Sequence, residues 1–179
     1  MTLPHARAIE IVELLASPRH RYEGRPADGP DEVPAGERRD ALELRAGLGV
    51  VGDRYFGQRA HRESSVTIQS AEALAAVAAR LDVAPPGLAQ TRRTILVRGA
   101  AIDDLVGIEF AIEQDGAVIR FAAPRAANPC AWMDAAIGPG AHRALRGHGG
   151  LRTGPLDDGV LRLGPAVLHA ATPISPAAE

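Results

Sequence analysis

Lysine is absent: all 20 basic residues of this 179-residue chain are arginine. No side-chain amine is therefore available for Schiff-base chemistry, which excludes pyridoxal phosphate held as an internal aldimine. There is one cysteine, Cys130, so no disulfide can form within the chain, in keeping with a reducing compartment. Aromatic residues make up only 3% of the sequence and offer few faces on which nucleic-acid bases could stack. No apolar run approaches the ~20 residues of a membrane-spanning helix. Charges also interrupt the N-terminal "MTLPHARAIEIVELL" where a signal peptide needs a clean apolar stretch, so the expected location is the cytoplasm, with no membrane partner. Net charge is −2, which gives no overall basic field for polyanions. Any anion site has to be local.

What is present is a globular composition, 46% hydrophobic and 23% charged, drawn mostly from Ala, Val, Leu and Ile. The length suits one domain over residues 1–179. "AIEIVELL" at 8–15 reads as an opening strand. Residues 17–40, "SPRHRYEGRPADGPDEVPAGERRD", are rich in Pro, Gly and charge and read as a long surface loop. "ALELRAGLGVVGDRYFG" (41–57) is a strand followed by a glycine-shaped loop, and "SSVTIQ" is a short strand. Ser70 is placed to cap a helix over "AEALAAVAARL", whose Leu74, Val77, Ala78 and Leu81 share a face, and Pro85-Pro86-Gly87 marks its end. "TILVRG" is a strand, and Asp115-Gly116 is a favoured hairpin turn within "IEFAIEQDGAVIRFA". A second short helix is expected over residues 134–145, and "GVLRLGPAVLHA" closes the chain as two short strands. Many short strands, glycine turns and few helices predict a mainly β protein, a closed or partly closed barrel with peripheral helices.

The chemistry centres on "AANPCAWMD". A thiol becomes a good nucleophile or metal ligand when it ionises, which nearby positive charge favours. Arg125 is close in sequence to Cys130, and Asn128-Pro129 holds the approach in a turn. His61, His5 and His20 show no metal-ligand spacing.

Four segments in order, "GDRYFG", "RRTILVRG", "NPCAWMD" and "RALRGHGGLRTGPLDDGVLRLG", resemble the MOSC domain, named for the C-terminal region of molybdenum cofactor sulfurase. The likeness runs from about Ile9 to Val167 and implies a MOSC-type β-barrel. It also implies that Cys130 corresponds to the family cysteine, which carries a persulfide sulfur in some members and ligates the molybdenum of the pterin cofactor in others. Either use suits one accessible thiolate, because soft sulfur matches a sulfane or a molybdenum centre.

That cofactor is an anion, and arginine forks grip phosphate, so Arg92 and Arg93 are first candidates for its phosphate end. Thr94 stands where family members often carry Asn and removes one amide from the expected site. Gly164-Pro165 replaces a common Gly-Asp at the end of the barrel. Asp53 and Arg54 either orient a ligand or pair with each other. His148, flanked by glycines, is a candidate proton donor to a bound oxygen, or an exposed loop histidine. Arg146 and Arg152 bracket it as an anion-receiving loop, and Asp134 is placed to hold one of these arginines.

The expected function is binding of molybdenum cofactor or carriage of sulfane sulfur on Cys130. The first version includes reduction of N-hydroxylated compounds and needs a separate electron donor, since the sequence has no flavin or iron–sulfur motif. The second needs a separate cysteine desulfurase, because a chain without lysine is not its own. The alternative is a non-catalytic barrel binding an anionic small molecule or single-stranded nucleic acid, the latter disfavoured by charge and aromatic content.

Overall fold

The computed structural model describes residues 3–177. Its first strand, β1 (His5–Leu15), organises the rest. It is followed by β2 (Arg38–Arg39), β3 (Ala41–Arg45), β4 (Gly49–Val50), β5 (Val66–Ser70) and β6 (Ile95–Arg98). The hairpin β7 (Phe110–Gln114) and β8 (Ala117–Phe121) comes next, then β9 (Arg125–Ala126), β10 (Leu151–Thr153), β11 (Gly159–Arg162) and β12 (Gly164–Ala170). Four helices, α1 (Ala71–Leu81), α2 (Leu88–Thr91), α3 (Trp132–Ala136) and α4 (Ala141–Ala144), lie among them.

The main sheet runs β8-β7-β12-β1-β6-β5-β10-β9, with β2 added to the end of β1, and β11-β3-β4 form a smaller sheet. All pairings are antiparallel except β5 with β6, which the segment carrying α1 and α2 joins in parallel. The sheet curls until its two ends meet. Beyond β10, Gly154 accepts from the Ala122 amide at 3.0 Å and Leu156 donates to the Arg120 carbonyl at 2.8 Å. These bonds make the mainly β architecture barrel-like, with few helices, as the strand pattern predicts.

Two apolar clusters result. One fills the curl with Ile9, Ile11, Leu14, Ile68, Val97 and Phe110 among others. Ile11 and Leu14 are three apart yet face the same way, because the register of β1 against β6 shifts between Ile11 and Glu13. The second lies outside the sheet, where Leu15 and Leu96 meet α1 through Leu74 and Val77, and α3 through Trp132 and Met133.

Local chemistry explains most boundaries. The Ser70 hydroxyl accepts from the Ala73 amide at 3.3 Å and caps α1, whose Leu74, Val77 and Ala78 are buried. The helix stops at Asp82, in a left-handed conformation, before the Pro85-Pro86 pair is reached. Asp115 and Gly116 both take positive φ, 52° and 78°, the type I′ geometry a two-residue hairpin needs. The single helix expected over 134–145 is two, because Gly138-Pro139-Gly140 breaks it. The expected strand pair at the C-terminal end divides, β11 joining the small sheet and β12 the large one.

Residues 17–40 are only partly a surface loop. Ser17, Tyr22, Pro34 and Glu37 are buried, so this segment is strapped onto the protein beside the helices. Among the described residues, no helix is long and apolar enough to cross a membrane.

An arginine-lined cavity beside Cys130

The turn after α2 sets the site. Arg92 ends that helix at φ 57°, and its amide donates to the Leu88 carbonyl at 2.7 Å. A left-handed non-glycine residue is disfavoured, by roughly 1–2 kcal/mol, and here surrounding contacts hold it. The reversal sends the adjacent guanidinium groups to different anchors. Arg92 donates to both oxygens of Glu37, at 3.0 and 2.8 Å, deep in the protein. Arg93 donates to the carbonyls of Gly149 at 2.9 Å, Ala127 at 2.9 Å and Thr91 at 3.3 Å.

The Gly149 and Ala127 carbonyls flank strand ends pressed close together, and that of Thr91 ends α2. A Cβ on Gly149 would lie 2.0 Å from the Ala127 carbonyl oxygen, and one on Gly150 would lie 2.1 Å from that of Ile68. Only glycine permits this approach. The floor is thus backbone laced together by one arginine.

The cavity above it measures about 230 Å³. Arg54, Arg92, Arg93 and Arg152 bring four guanidinium groups to its wall, and Asn128 and Cys130 lie at its edge. The thiol is exposed. Among the described residues, Arg93 and Arg152 have no carboxylate within 4.0 Å, while Arg54 has Asp53 at 3.8 Å. Burial lowers the Arg93 pKa to about 10, with the Cys130 sulfur acting against that shift and Arg152 adding to it. Arg93 stays charged at neutral pH. Two buried donors, Nε of Arg54 and Nε of Arg92, have no hydrogen-bond partner among the described residues. An unpaired buried donor is costly, and an anion is the partner it suits.

One wall is aromatic. Tyr22 stacks on Trp132, with ring centroids 5.1 Å apart and planes 10° from parallel, and its hydroxyl donates to the Gln90 carbonyl. Burial pushes the Tyr22 phenol up to about 12. Opposite, the Arg54 guanidinium covers Tyr55 at 4.4 Å, and His61 packs against the same ring at 4.4 Å. His20 accepts from the Tyr22 amide through Nδ1 at 3.0 Å. Burial, followed by the charges of Arg54 and Arg92, holds its imidazole below the ordinary value.

Most of the residues singled out in the sequence fall into three places. Cys130, Asn128, Arg54, Arg92, Arg93 and Arg152 line this cavity. Thr94 and Asp53 lie beneath it in a small adjoining space, Thr94 bonded to Thr67 hydroxyl to hydroxyl at 3.0 Å and Asp53 accepting from the Ser17 amide at 3.1 Å. Arg125 lies in a neighbouring cleft and pairs with Glu63. The others point elsewhere. Asp134 accepts from the His142 amide at 2.7 Å at the start of α4 and, among the described residues, holds no arginine. Arg146 and His148 are exposed outside the cavity lining, and the His148 carbonyl accepts from Gln69 at 3.1 Å.

Sequence reading missed His20, Tyr22 and Glu37, all in the 17–40 segment. A tyrosine amid Pro, Gly and charge was the available signal, since a solvated loop has little use for a large ring.

No protein-family model matches this chain, and no curated protein matches it. Solved structures do. YuaD of Bacillus subtilis superposes with a TM-score of 0.66 at 14% identity, over 93% of this chain and 98% of YuaD. YiiM of Escherichia coli superposes at 0.52 with 17% identity, over 96% of this chain and 72% of YiiM. The fold described here is therefore the one these solved structures share. At such identities the likeness concerns the fold alone.

Proposed function

We propose that the cavity receives an anionic ligand that Cys130 meets through sulfur, and that this ligand is the molybdenum cofactor. The observation carrying this reading is the exposed Cys130 thiol at the edge of a cavity where Arg93 is charged, half-buried and, among the described residues, without a carboxylate within 4.0 Å. The residues fit the group. Arg93 and the orphaned Nε atoms of Arg54 and Arg92 suit its anionic end, and the Cys130 thiolate suits its metal. Among the described residues no cluster of three His, Cys, Asp or Glu could hold a metal ion, so further metal ligands would come from the pterin or from solvent.

Bound there, the cofactor would supply oxygen-atom transfer, the chemistry that reduction of an N-hydroxylated compound requires. The chain's own part is binding and positioning. Arg93 holds anionic charge from a floor that three carbonyls keep rigid. The Tyr22–Trp132 stack excludes water from one wall. His20, whose Nδ1 accepts from the Tyr22 amide, can take a proton on its other ring nitrogen.

Exposure of the thiol favours a second reading, in which Cys130 takes sulfane sulfur from a partner's persulfide. Its thiolate would attack the outer sulfur, forming one S–S bond and releasing the partner's thiolate as the old S–S bond breaks. A nucleic-acid role has less support. Tyr22 and Trp132 cover each other and Tyr55 is covered by Arg54, so few faces are open for bases.

The deciding measurement is molybdenum and pterin content per chain after expression with molybdate, alongside release of sulfane sulfur by cyanide. Stoichiometric metal that falls in both Cys130→Ser and Arg93→Gln supports the cofactor reading. Cyanide-labile sulfur without metal, lost only in Cys130→Ser, supports the carrier. Neither from wild-type protein would overturn both.

A further inference from the structure

A second, larger cavity of about 530 Å³ adjoins the first and shares His61, Ser64 and Arg152 with it. Its remaining charged lining is Arg59, Arg62, Glu63 and Arg125. Four arginines thus face one carboxylate, which Arg125 already engages at 2.6 Å. In a chain of net charge −2 this is a marked segregation of positive charge. Lining one cleft, the four guanidinium groups add their fields at an anion bound between them.

This shelf is built as well as charged. Arg59–Ser64 form a tight 3₁₀ turn ahead of β5. The Ser65 hydroxyl donates to the Arg62 carbonyl at 3.3 Å. A Cβ on Gly154 would lie 2.1 Å from that same carbonyl oxygen, so the turn is seated directly on the chain leaving β10. On the facing side, Arg152 donates through Nε to the Ala126 carbonyl at 3.1 Å, which leaves its two terminal nitrogens for a ligand. His61 packs on Tyr55 at the passage between the two cavities.

We propose that the outer cleft is a second anion subsite, and that the two cavities together take one elongated ligand carrying phosphate groups in series. Arg93 and the inner donors would hold one end, Arg152 the middle, and Arg59 and Arg62 the far end. The joint site rests on the inner cavity being anion-binding, as proposed above. The outer subsite stands on its own lining.

Inorganic tripolyphosphate and orthophosphate are the probes, titrated calorimetrically into the full chain at constant ionic strength. Tripolyphosphate is expected to bind at least tenfold more tightly. The Arg59→Gln/Arg62→Gln double variant, altered only at exposed side chains, should lose that margin and keep its orthophosphate affinity. Equal affinity for the two anions in wild-type protein, or an unchanged margin in the double variant, overturns the outer subsite. Arg93→Gln separates the two ideas: loss of orthophosphate binding supports the joint site. If Arg93→Gln changes nothing while the double variant loses tripolyphosphate, the outer subsite stands and both the joint site and the inner anion reading fall.

Discussion

Arg92 and Glu37 form an ion pair that water barely reaches: the side chains are 4% and 1% exposed, and one guanidinium nitrogen bonds both carboxylate oxygens. Glu37 belongs to the Pro- and Gly-rich segment, and Arg92 to the turn beneath the cavity. The pair therefore ties a loop to the site. Replacing Glu37 by Ala leaves a buried guanidinium without its carboxylate, and a loss of about 3–5 kcal/mol is expected from denaturant unfolding. Proteolysis within residues 17–40 should accelerate in parallel. A loss below about 1 kcal/mol, the scale of exposed pairs, would mean that the pair is solvated and does not hold the loop.

Tyr22 and Trp132 make the second tie. Tyr22→Phe preserves the stack and gives up the hydroxyl bond to Gln90, an expected change of about 1 kcal/mol. Tyr22→Ala removes the ring and should lose about 3–5 kcal/mol. Similar values for the two variants would shift the importance from the ring to the hydroxyl.

The same tyrosine sets an alkaline limit. In a Tyr55→Phe background, phenolate absorbance should report Tyr22 with a midpoint near 12, against 10.0 for a free phenol. The folded pKa is raised, so the folded state retains a proton that the unfolded chain gives up. The associated stability is intact below pH 10 and is lost as pH rises from 10 to about 12. The shift corresponds to about 2–3 kcal/mol. Unfolding free energy measured from pH 9 to 12 should decline by that order beyond the decline of a Tyr22→Phe control.

Cys130, being exposed, should react with a thiol reagent in the native protein as readily as after unfolding, and Cys130→Ser should abolish the signal. Saturating tripolyphosphate should slow the reaction if the anion and the thiol share a cavity. Labelling confined to the unfolded chain would place the sulfur in the core.

Gly149→Ala tests the floor. The added Cβ would meet the Ala127 carbonyl oxygen at 2.0 Å, a contact only backbone movement can relieve. Destabilisation by at least the 1–3 kcal/mol typical of overpacking is expected. Anion affinity should also weaken, because both carbonyls that Arg93 bonds at 2.9 Å would shift. Unchanged stability would mean that the strands separate there without strain.

Much of the architecture was legible along the chain, because its signals are local. Asp115-Gly116 specifies a two-residue turn through the φ values it tolerates, and Ser70 specifies a helix start through one side-chain bond. The absence of lysine, the solitary Cys130 and the arginine pair at 92–93 pointed to thiol chemistry beside an anion. Tertiary structure decided which charges line the cavity beside that thiol. Arg92 and Arg93 are neighbours in sequence, yet a left-handed turn sends one to Glu37, 55 positions away, and the other to Gly149 and Ala127. Arg146 and His148 are close to Cys130 in sequence and lie outside its cavity, whereas His20 and Tyr22, more than a hundred residues earlier, line it. Sequence encodes conformational preference over a few residues, but an electrostatic site depends on distances between segments that meet only when the sheet curls. Those distances, and the packing that sets Arg93 among carbonyls with no carboxylate within 4.0 Å among the described residues, arise from tertiary structure alone.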